Sequence, residues 1–249
     1  MLPENRFAGQ LGALGGDVAP HGTTIVAVTF DGGVLIAGDR RATMGSLIAS
    51  RDVDKVHITD EYSAAGIAGT AGLAVEMVRL FAVELEHYEK IEGVPLTFDG
   101  KANRLSSMVR GNLGAACRGW PWCRCWSGSI STPPIRTGRA ASSRTTWSAA
   151  GTRNAPAITP SGRVRCSRSR RSRSCTGGDA DEQYALRSAV EALYDAADDD
   201  SGTGGPDTTR GIYPTAAVIT GTGATLVPET TLSELARAIV ADRTAGGGQ

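Results

Sequence analysis

The feature that most constrains the fold is an abrupt change of composition between residues 117 and 177. This stretch contains 12 Arg but no Lys, Asp or Glu, and it holds all five Cys and all four Trp of the chain. The rest of the chain carries 14 basic and 26 acidic side chains, a balance of −12, although the whole chain is neutral. Because the stretch has no helical or strand periodicity, we expect it to be irregular and expect the flanking residues to build the fold.

Length and hydropathy exclude several classes of protein. A chain of 249 residues suits one or two domains and can bury a large core. No apolar run approaches the 18 residues of a membrane span, and the first residues lack a signal-peptide pattern. Cysteine is absent outside residues 117–177, so no disulfide framework supports the fold. We therefore expect a cytoplasmic protein without membrane contact.

The flanking residues read as alternating strands and helices. Residues 1–22 are Gly-rich and predict a flexible leader, whereas residues 23–249 predict a single domain. Strands are predicted at residues 24–30, 34–37, 63–69, 214–220 and 224–227, and helices at 73–88, 102–116, 184–194 and 231–242. The last helix is expected to open with a capping box, Thr231-Leu-Ser-Glu234. This order indicates an α/β (α+β) protein with two sheets and helices outside them.

Three hypotheses explain residues 117–177. Arg-Ser repeats interleaved with aromatic residues suit nucleic-acid binding. The five Cys residues could bind metal, but no pair of Cys-x-x-Cys arms is present. The third hypothesis is that these residues come from the wrong reading frame of a GC-rich gene. When the stretch is back-translated with GC-rich codons and read one base over, the resulting sequence is typical of an apolar strand and a lysine-bearing helix. An uninterrupted frame in the resequenced gene would refute this third hypothesis.

The flanks contain several distinctive motifs. They are Thr23-Thr-Ile-Val26, Gly38-Asp-Arg-Arg41, Arg51-Asp-Val-Asp-Lys55, Gly93-Val-Pro-Leu-Thr-Phe98 and the segments 82–90, 108–113 and 190–200. With these motifs the chain resembles the β subunit of the proteasome core particle, in its actinobacterial form, and the resemblance covers roughly residues 20–116 and 180–243. The base-shifted text also resembles this family, including its Gly-Ser-Gly-Ser stretch.

The resemblance implies a threonine protease whose nucleophile is Thr23. A threonine hydroxyl needs a base, and a free terminal amine with a pKa of ~7.7–8.0 supplies one on the same residue. An internal Thr has only a non-basic amide, so the leader must be cut autocatalytically between Gly22 and Thr23. In the family, Lys55 would lie beside the hydroxyl, Asp39 would pair with Lys55, and the Gly69 N–H would stabilise the oxyanion. Asp200 and Thr203 match the loop that orients the nucleophile.

The resemblance also places the first specificity pocket. The residues that match its lining are Ala42, Thr43, Val53, Ile67, Ala71 and Val75. Their mostly apolar character implies cleavage after hydrophobic residues, although His57 also falls among the matching positions.

The implied fold is the four-layer αββα sandwich of the N-terminal nucleophile (Ntn) hydrolases. The family assembles four stacked heptameric rings, two of β subunits between two of α subunits. Its other partners are a ring-shaped ATPase and protein substrates tagged with a small protein modifier. No metal and no organic cofactor is implied.

Two alternatives from other classes stay open. The written sequence lacks the serine of the Gly-Ser-Gly-Ser stretch that completes the site in the family, so the chain could be a structural β subunit that assembles without cutting. The second alternative is an Arg-rich nucleic-acid-binding protein, which a salt-dependent RNA shift assay would test. Taken singly, Thr23, Asp39, Lys55 and Gly69 could also be ordinary strand, turn and surface residues.

Overall fold

The protein combines ten strands with four helices in a computed structural model that describes residues 24–44, 47–68, 71–117, 126–132, 144–150 and 181–246. The strands are β1 Ile25–Phe30, β2 Gly33–Gly38, β3 Ala42–Met44, β4 Leu47–Ser50, β5 Val56–Asp60, β6 Ser63–Ala68, β7 Trp126–Thr132, β8 Arg144–Ala150, β9 Thr215–Thr220 and β10 Gly223–Leu226. The helices are α1 Ala71–Glu92, α2 Phe98–Cys117, α3 Glu182–Asp199 and α4 Glu229–Gly246.

The first sheet has the strand order β1-β2-β9-β10, and all its neighbours are antiparallel. Its opening hairpin follows from the sequence: β-branched strands flank Asp31-Gly32, and Gly32 takes a φ of 89° in the turn. Every residue of β2 is buried, since β2 lies between β1 and β9 and has both faces covered. The carboxyl end of β2 therefore places the next residue, Asp39, inside the protein.

The second sheet has the order β5-β6-β7-β8 and is also antiparallel, while β3 and β4 form a separate hairpin. An apolar cluster joins the two large sheets. Its members come from β1, β2 and β9 of one sheet and from β5 and β6 of the other: Ile25, Ala27, Ile36, Val56, Ala64, Ala217 and Ile219. A Cβ at Gly66 would lie 2.8 Å from Ile25 Cγ2, so the sheets approach closely at a position that has no side chain.

The helices cover the sheets through three further apolar clusters. Helices α3 and α4 pack against the first sheet, where Leu193 and Ile239 are fully buried. Helix α1 packs against the second sheet through Ala74 and Val78, beside Ile67. Phe81 of α1 lies in a cluster that α1 shares with α2. Both large sheets thus carry helices on one side.

The structure departs from the sequence-based expectations at several elements. Strands β3, β4 and β5 were not expected; β3–β4 is short and exposes Leu47, and β5 is interrupted by a register shift between Ile58 and Asp60. The expected capping box is wrong, because α4 begins at Glu229 and Thr231 lies inside its first turn. Pro228 precedes the helix, and its carbonyl accepts a hydrogen bond from the Leu232 N–H.

Two strands, β7 and β8, lie within residues 117–177, the segment that was expected to be irregular. Strand β7 pairs along the edge of β6, where Ser129 faces Gly66, and β8 pairs along β7. Strand pairing uses backbone groups, which every non-proline residue supplies whatever its side chain. Because pairing of the backbone does not depend on the side chains, these strands do not test the frame hypothesis, which stays a prediction; residues 118–125, 133–143 and 151–177 lie outside the described residues.

Candidate active site

A buried carboxylate gathers four segments of the chain. Asp39 is fully buried immediately after β2. Its Oδ1 accepts hydrogen bonds from Lys55 Nζ at 2.8 Å and from the Thr24 backbone N–H at 3.3 Å. Its Oδ2 accepts from the backbone N–H groups of Arg41, at 3.0 Å, and Gly204, at 2.9 Å. Both oxygens are therefore satisfied, as a buried charge requires.

Lys55 is the cationic partner of this carboxylate. It precedes β5, has 3% of its side chain exposed, and also donates to the Arg41 carbonyl oxygen. Burial lowers the pKa of Lys55 below its ordinary value, while the charge of Asp39 and its hydrogen bond oppose that shift. Lys55 is therefore a buried lysine that releases its proton more readily than a lysine exposed to water.

A loop after α3 closes the other side of the site. Asp200 is the C-cap of α3, and its N–H donates to the Ala196 carbonyl. Asp200 Oδ2 accepts from Thr203 Oγ1 at 3.1 Å, and Oδ1 accepts from the Gly202 N–H at 2.9 Å. Thr203 is fully buried, and its Oγ1 lies 2.8 Å from Thr24 Oγ1. The loop is thus bonded directly to the residue that precedes β1.

The structure brings together four of the expected catalytic residues. Asp39, Lys55, Asp200 and Thr203 all connect to Thr24, directly or through one another. Thr24 follows Thr23 by one peptide bond. The expected residues Gly22, Thr23 and Gly69 lie outside the described residues.

Three contributors were missed by the sequence analysis: Thr24, Arg41 and Gly204. Arg41 contributes backbone groups, which carry no residue-type signal. Gly204 was detectable only as part of a Gly-rich loop, yet a Cβ there would lie 2.7 Å from Arg41 Cβ, so this close approach requires glycine. Thr24 stood next to the expected nucleophile and had no further distinguishing feature.

The residues expected to line a specificity pocket fall on several elements. Ala42 and Thr43 lie half-buried on β3, and the Val53 N–H donates to the Arg40 carbonyl at 3.0 Å. Ile67 and Val75 belong to one apolar cluster. The remaining one, Ala71, is the first residue of α1.

His57 occupies a half-buried position on β5. Its Nε2 lies 3.1 Å from the Asp54 carbonyl oxygen. Burial lowers the pKa of His57, and this hydrogen bond and the Asp54 charge oppose the shift. The shift favours the neutral form of the imidazole.

Two features of the described residues bear on metal binding and on membrane insertion. No group of three or more His, Cys, Asp and Glu side chains in those residues could hold a metal ion. Within the same ranges, no helix is long and apolar enough to cross a membrane.

Comparison with known proteins agrees with this geometry. A family profile described as "Proteasome subunit" matches residues 19–125. A "Proteasome subunit beta" of Rhodococcus opacus (strain B4) is 59% identical over 266 aligned positions, covering 100% of this chain and 87% of the relative. One from Rhodococcus erythropolis (strain PR4) is 61% identical, covering 98% and 84%. A third, from Nocardia farcinica, is 58% identical, covering 98% and 88%.

These relatives confirm the resemblance on which the site residues were chosen. Each alignment extends over nearly the whole length of this chain, well beyond the profile match. The chain therefore belongs to the proteasome β-subunit family, whose members are threonine endopeptidases.

Proposed function

We propose that this chain is a catalytic β subunit in which Thr23 becomes the N-terminal nucleophile after cleavage of the Gly22–Thr23 bond. The observation that carries the proposal is the buried Lys55–Asp39 pair, hydrogen-bonded to the residue next to Thr23. A buried charged pair is costly unless it is well satisfied. Here Asp39 is satisfied by four donors, one of which is the N–H of Thr24, the residue that precedes β1. Such an arrangement is typical of a reaction centre.

The proposed reaction uses the chain's own terminus as base. The freed amine of Thr23 takes the hydroxyl proton, and the oxygen attacks the scissile carbonyl of the substrate. The Gly69 N–H stabilises the oxyanion, the amine returns the proton to the leaving group, and an ester to Thr23 remains. Water, deprotonated by the same amine, then hydrolyses the ester and restores the hydroxyl.

In this proposal Lys55 acts by its charge. An ammonium beside the Thr23 hydroxyl disfavours protonation of the terminal amine and stabilises the developing alkoxide. Asp39 holds Lys55 in place through the 2.8 Å contact. Asp200 and Thr203 orient the start of β1 through Thr24.

The same proposal covers cleavage preference. Ala42, Val53, Ile67, Ala71 and Val75 would line a pocket for the substrate residue that precedes the cut bond, with Thr43 at its edge. Because these side chains are apolar, we expect cleavage after hydrophobic residues. The shared cluster of Ile67 and Val75 supports this assignment.

The four apolar clusters support an αββα arrangement of the Ntn-hydrolase type. Helices α3 and α4 would form one outer layer and α1 and α2 the other, with the two large sheets between them. Leu80, Val83 and Ile91 of α1 are 52%, 60% and 66% exposed and would contact neighbouring subunits. In this proposal α and β subunits form heptameric rings in the cytoplasm, and a ring-shaped ATPase delivers tagged substrates.

The proposal is tested on core particles assembled with α subunits. We expect hydrolysis of a fluorogenic peptide with a hydrophobic residue before the cut bond, and an intact mass that begins at Thr23. Thr23→Ala abolishes hydrolysis, whereas the matched change Thr225→Ala, at an exposed position of β10, leaves it intact. Particles that assemble but do not cleave would instead indicate a structural β subunit.

A further inference from the structure

Thr24 is bonded on two sides to the machinery of the site. Its backbone N–H donates to Asp39 Oδ1, the same oxygen that binds Lys55 Nζ. Its hydroxyl lies 2.8 Å from the hydroxyl of Thr203, a residue 179 positions later in the chain. The two contacts come from different segments, Asp39 after β2 and Thr203 in the loop after α3, and one holds the backbone of residue 24 while the other holds its side chain.

The direction of the hydroxyl chain follows from its last member. A carboxylate can only accept hydrogen bonds, so Thr203 Oγ1 donates its single proton to Asp200 Oδ2. The Thr203 oxygen is then left as an acceptor toward Thr24. Thr24 Oγ1 therefore donates to Thr203, and the chain runs from Thr24 through Thr203 to Asp200.

We propose that Thr24 is a positioning residue for the neighbouring nucleophile, acting through this directed chain of hydroxyl groups. The inference rests on the proposed function of Thr23. In this proposal Thr24 does not touch the reacting atoms. It fixes the peptide group that joins residues 23 and 24, and thereby the orientation of Thr23 relative to β1. β1 begins at Ile25, and the Thr24 carbonyl also accepts a hydrogen bond from the Asp39 N–H at 3.5 Å, so backbone contacts hold residue 24 against Asp39 and the hydroxyl chain adds a restraint from Thr203.

The test measures steady-state hydrolysis by assembled, mature core particles. Thr24→Val keeps the shape of the side chain and removes the donor, whereas Thr24→Ser keeps the hydroxyl. One positioned hydrogen bond corresponds to a rate effect of about three- to tenfold. We expect Thr24→Val to lower kcat by that factor per processed subunit with KM within about twofold, and Thr24→Ser to restore most of the rate.

A double-mutant cycle tests whether Thr24 acts on the nucleophile through Thr203. If Thr24 acts through Thr203, then Thr24→Val adds little to the loss already caused by Thr203→Ala. Thr244→Val is the matched control, because it removes a threonine hydroxyl bonded to the Val240 carbonyl at 3.0 Å within helix α4, and it leaves kcat unchanged. Intact mass gives the processed fraction of each variant, so slow leader removal is separated from slow turnover.

Three results would overturn the proposal: an unchanged kcat in Thr24→Val, failure of Thr24→Ser to restore the rate, or multiplicative losses in the double variant. The proposed function fails differently. If Thr23→Ala particles retained activity, or if mature particles with an intact Thr24 did not cleave, Thr23 would not be the nucleophile.

Discussion

Replacing Asp39 by Asn tests how strongly one buried carboxylate holds the site together. Each of its oxygens accepts two hydrogen bonds: Oδ1 from Lys55 and Thr24, and Oδ2 from Arg41 and Gly204. Whichever oxygen becomes an amide nitrogen, two N–H donors then face another donor. The variant also leaves the 3%-exposed Lys55 without its counter-charge. Removal of one partner from a buried pair costs about 3–5 kcal/mol of unfolding free energy.

A double-mutant cycle of Asp39 and Lys55 separates the contribution of charge from that of hydrogen bonding. Lys55→Met leaves the carboxylate with three backbone donors and is expected to cost less than Asp39→Asn. The double variant removes both charges, so its loss should be smaller than the sum of the two single losses.

Urea unfolding followed by circular dichroism measures these free energies. The exposed pair of Arg187 and Asp242 supplies the control, because Asp242→Asn should cost no more than about 1 kcal/mol. Strictly additive losses for the Asp39 and Lys55 variants, or a loss for Asp39→Asn as small as that of the control, would refute the reasoning.

Two further predictions concern neighbouring residues. Gly204→Ala places a Cβ 2.7 Å from Arg41 Cβ and should cost about 1–3 kcal/mol of unfolding free energy together with peptidase activity, whereas Gly221→Ala, with open space around its Cβ, should change neither. Because burial lowers the pKa of His57 below 6.5, and the opposing Asp54 does not cancel this, the unfolded chain binds a proton first as pH falls through 6.5. Wild-type stability should therefore fall below that pH more steeply than that of His57→Gln, measured as thermal midpoints between pH 5 and 7.5; parallel curves would contradict the prediction.

The elements that were predicted from sequence are those whose burial follows one simple period. Strand β2 and helix α3 carry uninterrupted apolar patterns, and both were predicted within a few residues. Strand β5 was missed because its register shift breaks the alternation and leaves Ile58 37% exposed. Strand β7 was missed because its pairing with β6 depends on an available sheet edge.

In the site, too, residues within short sequence motifs were predicted, whereas residues whose roles depend on contacts distant in sequence were missed. Asp39 and Lys55 were predicted because each lies in a short motif that resembles the family. Thr24 and Gly204 were missed because their roles depend on contacts with residues 179 and 165 positions away. Only the folded sheet brings those segments together.

The four donors around Asp39 also impose an order on biosynthesis. Three of them come from residues 24 to 55, which leave the ribosome early, but the fourth belongs to Gly204. A nascent chain therefore cannot complete this carboxylate cage until Gly204 has been translated. If the proposed function holds, the site that would cut peptides stays unassembled during most of the synthesis of the described residues.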